Sequence, residues 1–339
     1  MVGVFDFERK TAMIHRRAFT GAAAGALLSL AGTGLQAQTL PKTVRILVGF
    51  PPGGSADLLA RALALQLTGY GAQVIVDNKP GAGGRIALEQ LKNAEADGSV
   101  LAVTPASMMV VYPHIYRQLS YQPLQDFAPV AKLGAAQFVV TVGPQVPASV
   151  KRMADFVAWA KASPHLASYG SSGAGSIPHF TGVALGKAAG IELTHVAYKG
   201  AAPAMSDLLG GQVAANVGVI SNALPHIQSG KLRALAVSGP VRSALLPDVP
   251  TLAEVGLSAA QAVEWFGVFL PARASGEAVS RLHAAVREAL KAKALQEALT
   301  KASFEVGAGE SVKEFTQQLQ ADLKRWGDVV KVSGFTPED

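Results

Sequence analysis

Five short segments combine glycine, serine, threonine and proline in a pattern suited to holding an anion. They are Phe50-Pro51-Pro52-Gly53-Gly54-Ser55-Ala56-Asp57, Thr104-Pro105-Ala106-Ser107, Tyr169-Gly170-Ser171-Ser172-Gly173-Ala174-Gly175-Ser176, Tyr198-Lys199-Gly200-Ala201-Ala202-Pro203 and Val219-Ile220-Ser221-Asn222. In each, a strand ends, the small-residue loop follows and a helix begins. Unpaired amides and small hydroxyls are thereby set at a helix N-terminus beyond the carboxyl end of a strand, where open α/β sheets hold ligands. Such ends favour anions, with a gain on the order of 1 kcal/mol for a well-oriented carboxylate. Taken singly, each loop reads first as ordinary turn and cap chemistry. Five convergent loops together predict an anion cleft. Asp57 falls in a first helical turn and reads as a cap or dipole partner, while Pro51-Pro52 stiffens its loop.

Other chemistries lack their residues. No lysine follows the last glycine of Gly53-Gly54-Ser55-Ala56, as a phosphate-binding P-loop requires, and Gly81-Ala82-Gly83-Gly84 has the wrong spacing for a dinucleotide turn. Gly170-Ser171-Ser172-Gly173-Ala174 misses the final glycine of a nucleophile elbow. The seven histidines, at 15, 114, 165, 179, 195, 226 and 283, pair neither with one another nor with glutamate at metal-ligand spacing. His179 alone lies near a candidate loop, where capping or packing competes with a ligand or base role. With no cysteine, a disulfide framework, a thiolate zinc site and a cysteine nucleophile are all excluded. The residues therefore point to binding rather than catalysis, without metal or cofactor.

The chain is 339 residues long with 49% apolar and only 16% charged residues, which allows one large or two ordinary domains with real cores. Of the net charge of +6, residues up to Ala37 carry +2 through Arg9, Lys10, Arg16 and Arg17 against Asp6 and Glu8. The remaining +4 is scattered, so the clustered basic footprint of a nucleic-acid binder is missing. A mild positive field favours anionic small molecules weakly.

Residues 1–37 read as an export signal. His15-Arg16-Arg17-Ala18-Phe19 forms a basic start, Gly21 to Ala31 an apolar run too short to span a bilayer, and Leu35-Gln36-Ala37 a small-residue cleavage site. Arg16-Arg17-Ala18-Phe19 is similar to a twin-arginine signal, with Thr20 in place of the usual large apolar residue, and Met13 is an alternative start.

Alternation of β-branched apolar runs with helix-length amphipathic segments predicts an α/β architecture with mostly parallel sheets. Strands are expected at Val44 to Phe50, Gln73 to Asp77, Val100 to Thr104, Phe138 to Val142, Leu193 to Tyr198, Val213 to Val219, Leu232 to Val237 and Gly267 to Leu270. Helices are expected at Ala56 to Leu67, Ile86 to Asn93, Val150 to Ala162, His179 to Ala189, Pro203 to Leu209, Ser280 to Leu299 and Val312 to Ser333.

Laid out in order, these segments resemble the Bug family, the substrate-binding proteins of tripartite tricarboxylate transporters. The matching stretches are Val44 to Asp57, Val76 to Gly84, Tyr169 to Ser176 with His179, and Val196 to Ala204. Gly210-Gly211-Gln212-Val213, Gly230 to Val237 and Leu246 to Glu254 follow, so the resemblance runs from about Pro41 to the C-terminus. It implies a two-lobe periplasmic binding protein of the type II, Venus-flytrap kind, each lobe a mixed sheet flanked by helices. One lobe is expected at 41–140 plus 266–339 and the other at 141–265, with crossovers near Val139-Val140 and Phe266-Gly267. A small organic acid would lie between the lobes, its carboxylate held by loop amides, hydroxyls and ordered waters, and closure would bury it.

Carried onto this chain, the ligand contacts are Pro52, Gly53, Gly54 and Ser55 with Thr104, Ala106 and Ser107 from one lobe. Ser171, Ser172, Gly173, Ser176, His179, Tyr198, Lys199, Gly200 and Ala201 come from the other. Gly218 stands where many relatives carry an acidic residue, so an ammonium-bearing ligand loses its partner and a carboxylic acid without an amino group is expected. Lys199 is either an exposed lysine or electrostatic help to the carboxylate. The resemblance implies a monomeric periplasmic receptor that delivers its ligand to membrane permease subunits. A sensor subunit docking on a signalling partner and an exported hydrolase on the same fold are the alternatives.

Overall fold

The computed structural model describes residues 41–336; the expected export signal, the twin-arginine motif and the choice between Met1 and Met13 lie outside the described residues. The strands are β1 (Thr43–Val48), β2 (Gln73–Asn78), β3 (Val100–Pro105), β4 (Phe127–Val142), β5 (Ser168–Ser171), β6 (Thr194–Ala197), β7 (Ala215–Val219), β8 (Arg233–Val237), β9 (Val263–Pro271) and β10 (Phe304–Val306). The helices are α1 (Ser55–Ala64), α2 (Arg85–Lys92), α3 (Ala106–Val110), α4 (Tyr112–Ile115), α5 (Pro123–Asp126) and α6 (Met153–Ala162). They continue with α7 (Ile177–Ala189), α8 (Ala201–Leu209), α9 (Ile220–Gln228), α10 (Gly276–Lys291), α11 (Lys293–Lys301) and α12 (Val312–Ser333).

The strands form one mixed sheet in the order β2-β1-β3-β9-β4-β7-β5-β6, with β8 and β10 also pairing with β4. β4 joins its two halves. Over Phe127 to Gln137 it runs antiparallel to β9, and from Phe138 to Val142 it runs antiparallel to β7. Only the second stretch was expected as a strand. The first contains Pro129, Lys132 and Gly134, and the ladder to β9 is irregular between Pro129 and Ala131 and between Lys132 and Gly134. Bulges of this kind break the period-2 pattern on which strand reading rests.

β3 is buried at all six positions, as a central strand covered on both faces must be, whereas edge strand β2 carries no fully buried residue. α1 turns Ala56, Leu59, Ala60 and Leu63 inward at helical spacing. Each fully buried Leu or Ile contributes roughly 1.5–3 kcal/mol relative to exposure. The expected single helix from Ser280 to Leu299 is broken at Ala292, whose ψ of 123° is extended. α12 matches its expected bounds because both ends are signalled: a Ser311–Glu314 capping box opens it and Gly334, at φ 77°, closes it.

A continuous apolar cluster crosses the change-over, bringing Met108 and Ile115 together with Ile177, Phe180 and Val217. α12 spans the same divide. Its Asp322 accepts from the Trp265 indole at 2.8 Å, Arg325 donates to the Gln261 carbonyl at 2.9 Å, and Phe335 beyond it meets the rings of His179 and Phe180 edge-on.

Candidate functional site

The loop after β1 is held from within. Asp57, buried at the start of α1, accepts from Gly53 N at 2.8 Å, Arg61 Nε at 2.9 Å and Asn78 Nδ2 at 2.9 Å. Asn78 also donates to the Phe50 carbonyl at 3.0 Å, so one network ties both ends of the loop. Burial alone would raise the Asp57 pKa, but the bonds from Arg61, Gly53 and Asn78 hold it below the ordinary 3.8. The Gly53 amide, expected to meet a ligand, is thus engaged by Asp57. Pro52 offers no N–H, and Gly54 and Ser55, which open α1, carry the amides that lack a partner inside the helix.

At the end of β3, Thr104, Ala106 and Ser107 are buried. Thr104 Oγ1 donates to Met108 Sδ at 3.1 Å. Ser107 meets a residue that sequence reasoning missed. Glu264 on β9 accepts both the Ser107 amide, at 3.1 Å, and the Ser107 hydroxyl. The Ser107 Oγ in turn accepts from Ile177 N, the first amide of α7, at 3.1 Å. Glu264 is 8% exposed, and burial raises its carboxyl pKa against the lowering effect of the two Ser107 bonds. The only sequence signal for it is one acid inside the apolar run Ala262-Val263-Glu264-Trp265-Phe266.

The second half contributes a turn stitched to itself. Ser176 caps α7 by accepting from His179 N at 3.4 Å and donates to Gly173 O at 2.7 Å. Gly175, at φ 72°, gives its amide to His179 Nδ1 at 3.1 Å. A side chain at Gly175 would run into Ile115 of the first half, so glycine permits the close approach there. Tyr198 N and Gly200 N donate to Ser171 O and Ser172 O, at 3.1 and 3.0 Å, which fastens the turn opening α8 to the turn opening α7. Ser172 and Lys199 are exposed, and Ala201 starts α8. The Tyr198 hydroxyl donates to Asp207 Oδ2 at 2.8 Å, and burial together with that bond pushes its pKa up to about 12. Beside this turn, Asn216 donates to Gly170 O at 3.0 Å, and a Cβ on Gly218 would lie 2.7 Å from Asn216 Oδ1.

His179 and His195 stack, a pairing that sixteen residues of separation concealed. His195 Nε2 is 2.7 Å from Ser171 Oγ. Burial, and then the charge on His179, lower the His195 pKa to about 3, so this imidazole has little strength to take a hydroxyl proton. Ser171 is fully buried and also bonds Gly173 O at 3.1 Å. The contact is suited to holding the turn.

The structure therefore joins Ser107 to the α7 terminus and groups Ser171, Ser172, Gly173, Ser176, His179, Tyr198, Gly200 and Gly218 around two linked turns. The loop that carries Pro52 to Ser55 is anchored on its own side, through Gly53 N to Asp57 and through the Phe50 carbonyl to Asn78.

The TctC family, described as the tripartite tricarboxylate transporter family receptor, matches residues 59–335. This chain belongs to the TctC family. Among TctC relatives, Protein BugT of Bordetella pertussis (strain Tohama I) is 32% identical over 305 residues, covering 88% of this chain and 92% of BugT. A solved periplasmic transporter is similar with a TM-score of 0.79 and 34% identity, over 87% of this chain and 98% of its own. R. palustris Rpa4515, solved with adipate, is similar with a TM-score of 0.81 and 30% identity, over 88% and 99%. The mixed α/β fold of this TctC receptor is thus that of the two-lobe periplasmic binding proteins, and its family role is that of a solute receptor for a tripartite tricarboxylate-type permease.

Proposed function

We propose that this receptor captures a small organic carboxylate in the periplasm, between lobes formed by 41–140 plus 266–339 and by 141–265, and hands it to the permease unchanged. The observation that carries the reading is the bond from Ile177 N to Ser107 Oγ, because it brings the loop after β3 against the helix terminus that opens the second set of turns. The exposed Ser172 hydroxyl and Lys199, and the α8 opening at Ala201, are the donors for the carboxylate, with Gly54 and Ser55 facing from the other lobe. Adipate on a relative 30% identical supports the ligand class.

The ligand lacks an amino group. Gly218 supplies no carboxylate, and Asn216 beside it is engaged with the Gly170 carbonyl. Calorimetry on protein refolded to strip carried-over ligand is the test, with adipate, malate and citrate set against L-aspartate and L-glutamate. The non-amino acids are expected to bind and the amino acids to bind at least about tenfold more weakly, the loss of one charge-assisted hydrogen bond. Tighter binding of aspartate or glutamate would sink the preference, and binding of no carboxylate would sink the ligand class.

A further inference from the structure

We propose that Ser107 and Glu264 form the closing latch of the cleft: Glu264 accepts the hydrogen bond of the Ser107 hydroxyl, leaving the hydroxyl oxygen's lone pairs to receive the first amide of α7 when the lobes meet. The inference rests on the reading that the ligand lies between those lobes.

A serine hydroxyl has one proton and two lone pairs. In solution it rotates freely and serves as donor or acceptor. Here Glu264 Oε1 receives both the Ser107 amide and the Ser107 hydroxyl, which spends the proton and fixes the rotamer. The lone pairs then face Ile177 N, 3.1 Å away and 70 residues along the chain. That amide has no partner inside the helix, the next position, Pro178, has no N–H, and the cap residue Ser176 serves His179 N instead. The far lobe thus supplies the missing acceptor.

Position gives Glu264 leverage. It is on β9, where Glu264 pairs with Ala136 of β4, one residue short of Gln137, the last position at which β4 pairs with β9. The carboxylate that sets Ser107 is therefore built into the strand pair running up to the change-over. Ile115 against Gly175 gives the same approach an apolar stop. Glu264 acts through Ser107 and is a positioning residue.

The test is amide hydrogen exchange at Ile177 in the mature chain without added ligand, read for Ser107→Ala, Glu264→Ala and Glu264→Gln, with calorimetry against adipate alongside. Ser107→Ala and Glu264→Ala should each speed exchange at Ile177 by roughly tenfold or more, as local opening becomes easier, while amides of β1 keep their protection. Glu264→Gln keeps an oxygen for the hydroxyl proton and should stay within about threefold of the parent. Adipate should bind roughly three- to tenfold more weakly to Ser107→Ala, the share of affinity owed to closure.

Unchanged exchange at Ile177 in Ser107→Ala, or equal acceleration in Glu264→Ala and Glu264→Gln, would overturn the latch. Should Glu264→Ala not fold, Ser107→Ala against Glu264→Gln decides the same point. If adipate binds none of the proteins, the ligand reading falls and the exchange data alone judge the latch.

Discussion

The imidazole of His195 lies flat on that of His179, ring centroids 3.9 Å apart and planes 16° from parallel. Two neutral rings tolerate this contact, and two imidazolium ions would repel across it. Burial lowers the His179 pKa to about 4, and burial with the His179 charge lowers that of His195 to about 3, from an ordinary 6.5. Between those values the unfolded chain binds more protons than the folded one, so stability is lost as pH falls below about 6.5. Glu264 runs the other way, since its raised pKa favours the folded state in acid. Melting temperature followed from pH 7.5 to 4.5 should fall, and His195→Gln should fall less steeply. An identical slope in that variant would show the stack carries no linkage.

Asp57→Ala should cost about 2 kcal/mol, because Gly53 N, Arg61 and Asn78 all lose one acceptor. Urea unfolding measures it. Asp57→Asn keeps one oxygen but adds donors where donors already converge, so it should recover less than half of the loss.

Ser238, just past the end of β8, ties the approach to β9 to the interior of β4. Its hydroxyl accepts from Phe138 N at 2.9 Å and donates to Ala262 O at 2.6 Å, while its own amide donates to Phe138 O and its carbonyl accepts from Ala262 N, both at 2.9 Å. Ser238→Ala strands a buried amide and a buried carbonyl and is expected to destabilise by about 2 kcal/mol. A midpoint within experimental error of the parent would mean that water replaces the hydroxyl.

Gly218→Asp places a carboxylate beside Asn216 and displaces its amide, since the new Cβ would come within 2.7 Å of Asn216 Oδ1. The variant should lose about 1 kcal/mol of stability with the Asn216–Gly170 bond. It should gain binding of L-aspartate measurable by calorimetry. No gain in a folded variant would separate Gly218 from ligand choice.

Loop chemistry was legible where one segment carries its own explanation. Ser176 with His179 and Ser311 with Glu314 cap helices through residues three apart, and Gly175, Gly200 and Gly334 mark the turns that need positive φ. The β4 segment from Phe127 to Gln137 was not, because its bulges scramble the alternation and its partner, β9, lies more than a hundred residues away.

From the sequence alone come the α/β alternation, the turn-and-cap loops and the small-residue positions, all set by forces acting within a few residues. Tertiary structure decided what those loops bond to. It turned the Gly53 amide inward to Asp57, aimed the Ser107 hydroxyl at Glu264 as a hydrogen-bond donor and stacked His195 on His179. Each of these joins groups that approach only after the sheet has formed, when burial makes an unpaired polar atom too costly to leave.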